Sequence, residues 1–517
     1  VTEAALPRGL GGLDGILKRY EAAVQRRALW SSLYRECYRY AIPSRQLFLD
    51  YAPGQEKENE LFDSTAVHGV KEFASRMQST ICPPWRHWSL LEPGPGLPPE
   101  MRESGPIKAR LEEQTGILFA HLNHSNFTLK SHEAFLDLAI GTGAICCDLN
   151  DARDGLAFDC VPIARLAIEE SPFGMVETVF EDKKLAIRSI RRLYGGKVVL
   201  PDAWSRDKDH VEKDFVQAVV FEPKAKRYHL ILFAKNPKAL LYHRDLEDSS
   251  PYIVFRWSVV PGEVFGRGPV VDALADIRTL NLVVEYMLRG AALTLAPPLT
   301  GVSDGVLNPF TAVIAPDTII PVGSNETANP SLRPLVTDMR PDLGQFLLED
   351  MRRSVRQKLL ADPRRREGPI QSASEVLIED REFIQQTGAN FGRVQAEFVE
   401  RVIARSVWLL QRIGAMAKIK VDGREIALKH TSPLARAQDT EDLQNLANAT
   451  SLAAAAAGAE AYQLAVKTDE IPGYIFRKAG IPADLIRTKE ERDEAMARIE
   501  TALTQAQGAP PGAAAAA

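Results

Sequence analysis

The sequence predicts an α+β fold, and three features carry that prediction. Helical periodicity bounded by prolines occupies the N-terminal region and residues 268–361. Between these stretches, from about Asp148 to Trp257, the pattern changes to short β-rich runs separated by polar and Pro-containing turns. A turn-rich insert then splits two Pro-delimited helices, Gly268 to Ala296 and Asp342 to Ala361. The 517 residues exceed the roughly 250–300 at which a single core stops growing, so two or three substructures are expected.

The first helix is predicted from Asp14 to Tyr40, where Leu17, Tyr20, Val24, Trp30, Leu33 and Cys37 recur near helical spacing until Pro43 stops it. The second begins at Phe62-Asp63-Ser64-Thr65, with Asp63 or Ser64 as cap. It places Val67, Val70, Ala74, Met77 and Ile81 on one face before Pro83-Pro84. Strands are expected at Gly196 to Leu200, Phe215 to Phe221, Tyr228 to Ala234 and Tyr252 to Val259, in a mainly antiparallel sheet. Gly268-Pro269 opens a helix with Pro at its first position, and Leu274, Ile277, Leu280, Val284, Met287 and Ala291 form its apolar stripe up to Pro297-Pro298. At 1.5 Å per residue that helix reaches roughly 40 Å.

Residues 299–339 read as a small β module with strand candidates at Thr311 to Ile314 and Thr318 to Pro321. The next helix carries Leu343, Phe346, Leu347, Met351, Val355 and Leu359 on one side and stops at Asp362-Pro363. Ser372-Ala373-Ser374-Glu375 fits a capping box whose helix runs past a break at Thr387 to Asn390 as far as Gly414. Val421-Asp422-Gly423-Arg424 suggests a tight hairpin. From Ala437 the chain becomes Ala-rich and helical, and the tail from Gln505 to Ala517 has the composition of a disordered segment.

Charged residues make up 25% and hydrophobic residues 45%, an ordinary globular balance. The net charge of -5 argues against a protein that grips nucleic acid over its whole surface, since that affinity comes from Lys and Arg neutralising phosphates. Any DNA contact must be local or weak. The five cysteines lack CxxC spacing, and neither a signal peptide nor a bilayer-length apolar run is visible, so synthesis in a reducing cytosol is expected. Val1 leaves room for an initiator Met or a longer N-terminus.

The motifs of common chemistry are incomplete. Phe265-Gly266-Arg267-Gly268-Pro269, Gly141-Thr142-Gly143 and Gly195-Gly196-Lys197 each lack the residues of a phosphate cradle, and the glycines read as tight turns. His132-Glu133 has no second His four residues on, and His121 and His124 have no partner pattern for a metal. Cys146-Cys147 reads as a buried apolar pair. No cofactor, metal or catalytic constellation is expected.

A set of ordered motifs points further. Trp30 and Leu33 precede Ala41-Ile42-Pro43; Leu61-Phe62-Asp63-Ser64-Thr65-Ala66 follows; then come Pro83-Pro84 through Trp88, Gly262 to Pro269, Leu280-Asn281, Pro297-Pro298, Ser374-Glu375-Val376 and Ser432 to Gln438. On these residues the chain resembles the head-to-tail connector, or portal, proteins of short-tailed, T7-like bacteriophages.

The resemblance implies a wing whose N-terminal portion is residues 1–267, stem helices at 268–296 and 340–361, and a clip at 297–339. A tunnel loop at 362–371, a wing helix with returning strands at 372–435, a helical crown at 436–505 and a disordered tail at 506–517 complete the plan. It also implies a dodecameric ring at one capsid vertex of the virion, assembled in the host cytoplasm, through which double-stranded DNA enters and leaves. The implied partners are the terminase large subunit, the major capsid and scaffolding proteins, and tail adaptor or nozzle proteins; no membrane is involved.

Within that plan Arg364, Arg365 and Arg366 fall on the tunnel loop, where they would face DNA. Their other reading is a solvated loop whose cations offset the dipole of the preceding helix. Asp272, Asp276, Glu285 and Arg289 are the polar residues available for a wet or intersubunit face of the stem. The expected role is structural rather than enzymatic. The rivals are another virion core or adaptor protein, or a packaging-associated nuclease or ATPase.

Overall fold

The computed structural model describes residues 6–45, 48, 61–84, 86–295, 299–301, 332–334, 341–361, 388–417, 426–430, 442–453, 471–478, 492 and 497–498. Helix α1, Gly12–Ala41, spans about 45 Å and is stopped by Ile42 and a 3-10 turn at Pro43–Arg45. Helix α2, Thr65–Ile81, is followed by strand β1, Ser89–Pro93, and by helices α3, Pro99–Glu103, α4, Gly105–His124, and α5, Phe127–Leu138. Strands β2, Thr142–Leu149, and β3, Leu156–Cys160, form an antiparallel hairpin.

A five-stranded antiparallel meander comes next: β4, Leu166–Glu170; β5, Val176–Ala186; β6, Glu212–Glu222; β7, Arg227–Ala234; and β8, Ala239–Asp245. Two short helices, α6 at Ile187–Tyr194 and α7 at Asp202–Ser205, lie in the β5–β6 connection. Strand β9, Tyr252–Arg256, returns to pair with β2. Helix α8, Pro269–Leu295, then leads to β10, Leu299–Gly301, which pairs with β11, Leu332–Pro334, so the insert closes at its base. Helix α9 is Pro341–Lys358. Residues 388–394 are helical and run into a π turn at Gln395–Val399 that continues as Glu400–Arg412, and β12, Ile426–His430, pairs with β1.

Alternation along the meander divides its two faces. Phe180, Val216, Ala218, Ile231 and Phe233 pack under the N-terminal half of α1, against Ile16, Leu17 and Ala23. Phe215, Leu232 and Ala234 face the other way, onto Ile190 and Trp204. The C-terminal half of α1 enters the main core through Tyr34, Cys37 and Tyr38, beside α2, α5, α8 and β9. One long helix therefore belongs to two cores. Polar ties fix it to the sheet: Arg19 donates to Glu169 and Thr178, and Tyr20 donates to Asp182 at 2.6 Å.

The charge at the centre is Arg256, on β9 and fully buried. Its Nε and Nη2 donate to Glu397 at 3.3 and 2.7 Å, Nη1 to Glu170 and to the Val264 carbonyl at 3.1 Å each, and Nη2 also to the Gly174 carbonyl at 2.6 Å. All five guanidinium N–H groups have an acceptor. The π turn is what presents Glu397 to it, because one extra residue in the turn rotates the side chain away from its helical register.

Several expectations need correction. Gly196 to Leu200 is no strand: Gly195 to Lys197 forms a 3-10 turn after α6, and Val199 is bound through one amide to Leu241. The β region starts at Thr142 rather than Asp148, and the strand expected to reach Val259 ends at Arg256. Gly388 to Asn390 is helical, so the irregularity lies at the π turn instead. On α9 Leu348 is buried, whereas Leu347 is 49% exposed. On α8 burial ends at Val284, and Ala291 is exposed. Cys147 is buried and Cys146 half-buried, both within β2. The Thr311 and Thr318 strands, the Ser372 capping box, the Val421 hairpin and the tail lie outside the described residues.

Of the glycines read as tight turns, Gly141, Gly266 and Gly268 lie directly against another stretch of main chain. A Cβ on Gly266 would lie 2.2 Å from the Gly141 carbonyl oxygen, and one on Gly141 would lie 2.0 Å from that of Gly266. Two main chains thus touch where no side chain fits. Gly266→Ala is expected to destabilise by several kcal/mol, since only backbone could yield. Gly116→Ala, in open space on α4, should stabilise by about 0.5–1 kcal/mol. Thermal melts of both variants check this; equal melting points would remove the argument.

Candidate functional site

Helix α8 is mounted on the end of α5. The last carbonyls of a helix and the first amides of another are each without intrahelical partners. Here they satisfy one another: the Gly268 amide donates to the Ile140 carbonyl at 2.9 Å, and the Val270 amide to Ala139 at 3.0 Å. Pro269 at the first helical position has no amide to place. A Cβ on Gly268 would stand 2.3 Å from the Ala139 oxygen, so the approach needs this glycine. Tyr34 on α1 donates to the Gly266 carbonyl at 3.0 Å, and Arg267 lies over the Trp30 ring while pairing with Glu263.

Leu61 to Ala66 connects α2 to both α8 and α9. The amides of Phe62 and Asp63 donate to Asn281 Oδ1 at 2.8 and 3.3 Å. Asp63 Oδ2 accepts from Arg352 Nε and Nη2 at 2.9 and 2.8 Å, and its Oδ1 accepts from the Thr65 amide at 2.9 Å. One carboxylate therefore caps α2 and grips α9. Burial pushes this carboxyl up, but the hydrogen bonds from Thr65 and Arg352 and the Arg352 charge outweigh it and hold it below its usual range. The sequence pattern shows Asp63 as a cap alone. The signal for its second role is Asn281, a polar residue bordering the apolar stripe of α8.

The four polar residues expected on a wet or intersubunit face do not share one. Asp276 turns to α9, where Lys358 Nζ lies 2.5 Å and Ser354 Oγ 3.2 Å from its Oδ2. Asp272 is exposed in the first turn of α8, a favourable place for an anion beside the helix dipole. Glu285 and Arg289 pair with each other at 2.5 Å, one turn apart. Arg364, Arg365 and Arg366 lie outside the described residues.

Leu274, Ile277, Leu280 and Val284 anchor the first half of α8 in the core, and Met351 on α9 packs against that core. Beyond Val284 the helix carries exposed apolar side chains: Tyr286 is 60% and Leu288 55% exposed, with Leu282 at 44% just before. At about 100° per residue, Leu288 lies about 80° to one side of Leu280, and Leu282 and Tyr286 lie about 160° and 120° to the other. Glu285 and Arg289 fall between these two flanks. The arrangement is two separate apolar flanks with a charged stripe between them.

Among the described residues no group of three His, Cys, Asp or Glu side chains is placed to hold a metal ion, and no helix is long and apolar enough to cross a membrane.

The Asp63 grip gives a pH-dependent expectation. A carboxyl held low in the folded state contributes stability above its unfolded pKa, near 4, and loses it as pH falls through the folded value. Asp63→Asn should cost about 2 kcal/mol at neutral pH and flatten the acid limb of the stability profile. Denaturant titrations of both proteins from neutral to acid pH check it; parallel profiles would disprove the grip.

The sequence matches the family described as "Bacteriophage head to tail connecting protein" over residues 13–486. It is 23% identical over 281 residues to the "Probable portal protein" of Bordetella phage BPP-1, a match covering 52% of this chain and 50% of that protein. The matched stretch thus spans half the length of that relative. Among solved structures, the likeness to one described as "Virion of native gene transfer agent (GTA) particle" has a TM-score of 0.36 at 11% identity, covering 75% of this chain and 86% of that one. For "Neck of empty GTA particle computed with C6 symmetry" the TM-score is also 0.36 at 11% identity, with 73% and 84% covered. Since the family match runs from α1 through residue 486, the chain belongs to the bacteriophage head to tail connecting proteins, a structural, non-enzymatic family of the virion's head–tail junction.

Proposed function

We propose that this chain is the portal protein of a short-tailed, T7-like phage. Twelve copies form a ring at one capsid vertex, set among the major capsid and scaffolding proteins, and double-stranded DNA passes through it in packaging and ejection. Residues 268–296 and 340–361 form the stem, and 297–339 form the clip. The terminase large subunit docks on the clip, and tail adaptor or nozzle proteins later replace it. Residues 362–371 form a tunnel loop that brings Arg364, Arg365 and Arg366 to the DNA; 1–267 and 372–435 make the wing and 436–505 the crown.

The observation that carries this reading is the free half of α8. Two different apolar flanks on one helix suit a head-to-tail contact, in which one flank of a subunit meets the other flank's surroundings on its neighbour. Such a contact closes into a ring when the rotation permits. Arg289 between the flanks then stays wet, paired with the largely covered Glu285, with Asp272 exposed at the mounted end of the helix. Mild net acidity fits a conduit, because a wall lined only with cations would hold the duplex too tightly to slide.

Two experiments test this reading. Tyr286→Asp combined with Leu288→Asp changes only exposed positions, so the subunit should fold while the ring is lost. Light scattering and negative-stain images check it: the wild type should give a ring with an axial hole, and rings of the variant at wild-type yield would sink the interface. Replacing Arg364, Arg365 and Arg366 with Ala should leave ring assembly intact. DNA retained per particle should fall, and the deficit should shrink at high salt as screening weakens the wild-type contact. Unchanged retention at low salt would return these residues to a solvated loop.

A further inference from the structure

The exposed side of helix α8 carries the spacing of a helix seam. Ala275, Thr279, Leu282 and Tyr286, four, three and four residues apart, are all exposed. That spacing sets side chains in one row, the kind along which two helices pack. Thr279 Oγ1 donates to the Ala275 carbonyl at 2.9 Å, so its hydroxyl is satisfied within the helix and the row can be covered without stranding a polar group. The first two side chains are small and the last two large, which makes the row lowest over Ala275 and Thr279.

The other flank holds an aromatic on a fixed backbone. Phe62 is 41% exposed, and its amide donates to Asn281 Oδ1 at 2.8 Å. Asn281 lies about 100° from Leu280, on the same side as Leu288 at about 80°. The amide of Asp63 reaches the same oxygen, and its carboxylate accepts from the Thr65 amide and from Arg352. With the backbone tied in this way, covering the Phe62 ring would cost little further ordering.

We propose that Phe62 is the aromatic anchor of the contact between neighbouring copies of this chain, seated on the Thr279 and Leu282 part of the next copy's row, with Leu288 beside Tyr286. The pairing rests on the ring reading given above and names the side chains that meet in it. A closed ring relates neighbours by rotation without rise, so for a helix along the ring axis the two flanks meet at equal heights. Phe62 is bonded at the level of Asn281, between Thr279 and Leu282, and Leu288 stands about 3 Å along the axis from Tyr286. One helix thus carries both halves of the contact at matching levels. A second copy supplies that match, whereas a foreign partner would need to fit only one of the two flanks.

The test uses the full chain and a short bismaleimide, which joins two thiols that stand close together. Phe62→Cys combined with Leu282→Cys should give a ladder of covalent oligomers on a denaturing gel. Either change alone, the wild type with its five native cysteines, and Phe62→Cys combined with Asp272→Cys, about 15 Å lower on α8, should stay monomeric. Phe62→Ala should cut ring yield about tenfold at micromolar protein, with the subunit's circular dichroism unchanged, and Phe62→Leu should restore part of it. The cross-link decides if Phe62→Ala fails to fold. Rings in negative stain without a ladder from the Phe62 and Leu282 pair, or rings of Phe62→Ala at wild-type yield, would overturn the pairing and leave the ring standing. A wild type that forms no rings would overturn the ring reading, and this anchor with it.

Discussion

A single fully buried guanidinium determines how the segments of this chain meet. An isolated cation cannot be taken from water without a large cost, and a buried pair stands only if every remaining donor is satisfied. Arg256 meets that condition with Glu397, Glu170 and two carbonyls drawn from four separate segments. Glu397 comes from the π turn, Glu170 from the edge of the meander, Gly174 from the turn after it, and Val264 from the loop that leads into α8. Shifting any of these segments would leave a charge or a donor unmatched, so the meander, the helix around the π turn and the start of α8 are fixed to one another.

Around that centre the molecule relies on contacts that cannot rotate away. The α5–α8 junction is made of carbonyls and amides, the Gly141–Gly266 contact of two main chains, and the α2–α9 contact of a glycine notch. Long helices do the rest. Helix α1 carries one apolar stripe into two cores, joining the meander to the body through Ile16 and Leu17 at one end and Tyr34 and Cys37 at the other. Exposed ion pairs such as Arg191 with Asp209 add little stability by comparison.

What the sequence made legible follows the same division. Helices α1, α2, α8 and α9 were readable because prolines mark their ends and apolar residues recur with helical period. The α5–α8 junction was not, since it is built of main-chain atoms that no side-chain pattern encodes; the glycines there looked only like turns. Arg256 reads as an ordinary strand cation until Glu397 is brought to it, and the π turn that does so has no composition of its own. The Gly196 to Leu200 run has strand-like residues, but after α6 it serves as a connector, an instance of tertiary context overriding local preference. Of the candidate residues, Asp276 faces α9 because Lys358 and Ser354 lie opposite, a pairing across 78 or more residues that spacing along one helix cannot reveal.

Helix α8 is thus two mechanical elements in one continuous helix. Its first half is held by backbone bonds to α5, by Asn281 to the Leu61–Ala66 segment and by four apolar side chains in the core. In its second half Met287 still packs against the core, while Tyr286 and Leu288 are exposed. A load on the free half cannot be relieved by rotamer changes at the mounted half, because the closest contacts there are between main-chain atoms. The contacts available to carry it are those to α5, to α2 and, through the Val264 carbonyl, to Arg256. For a protein of the head–tail junction, that path joins the exposed helix to the whole body without requiring the exposed surface itself to be rigid.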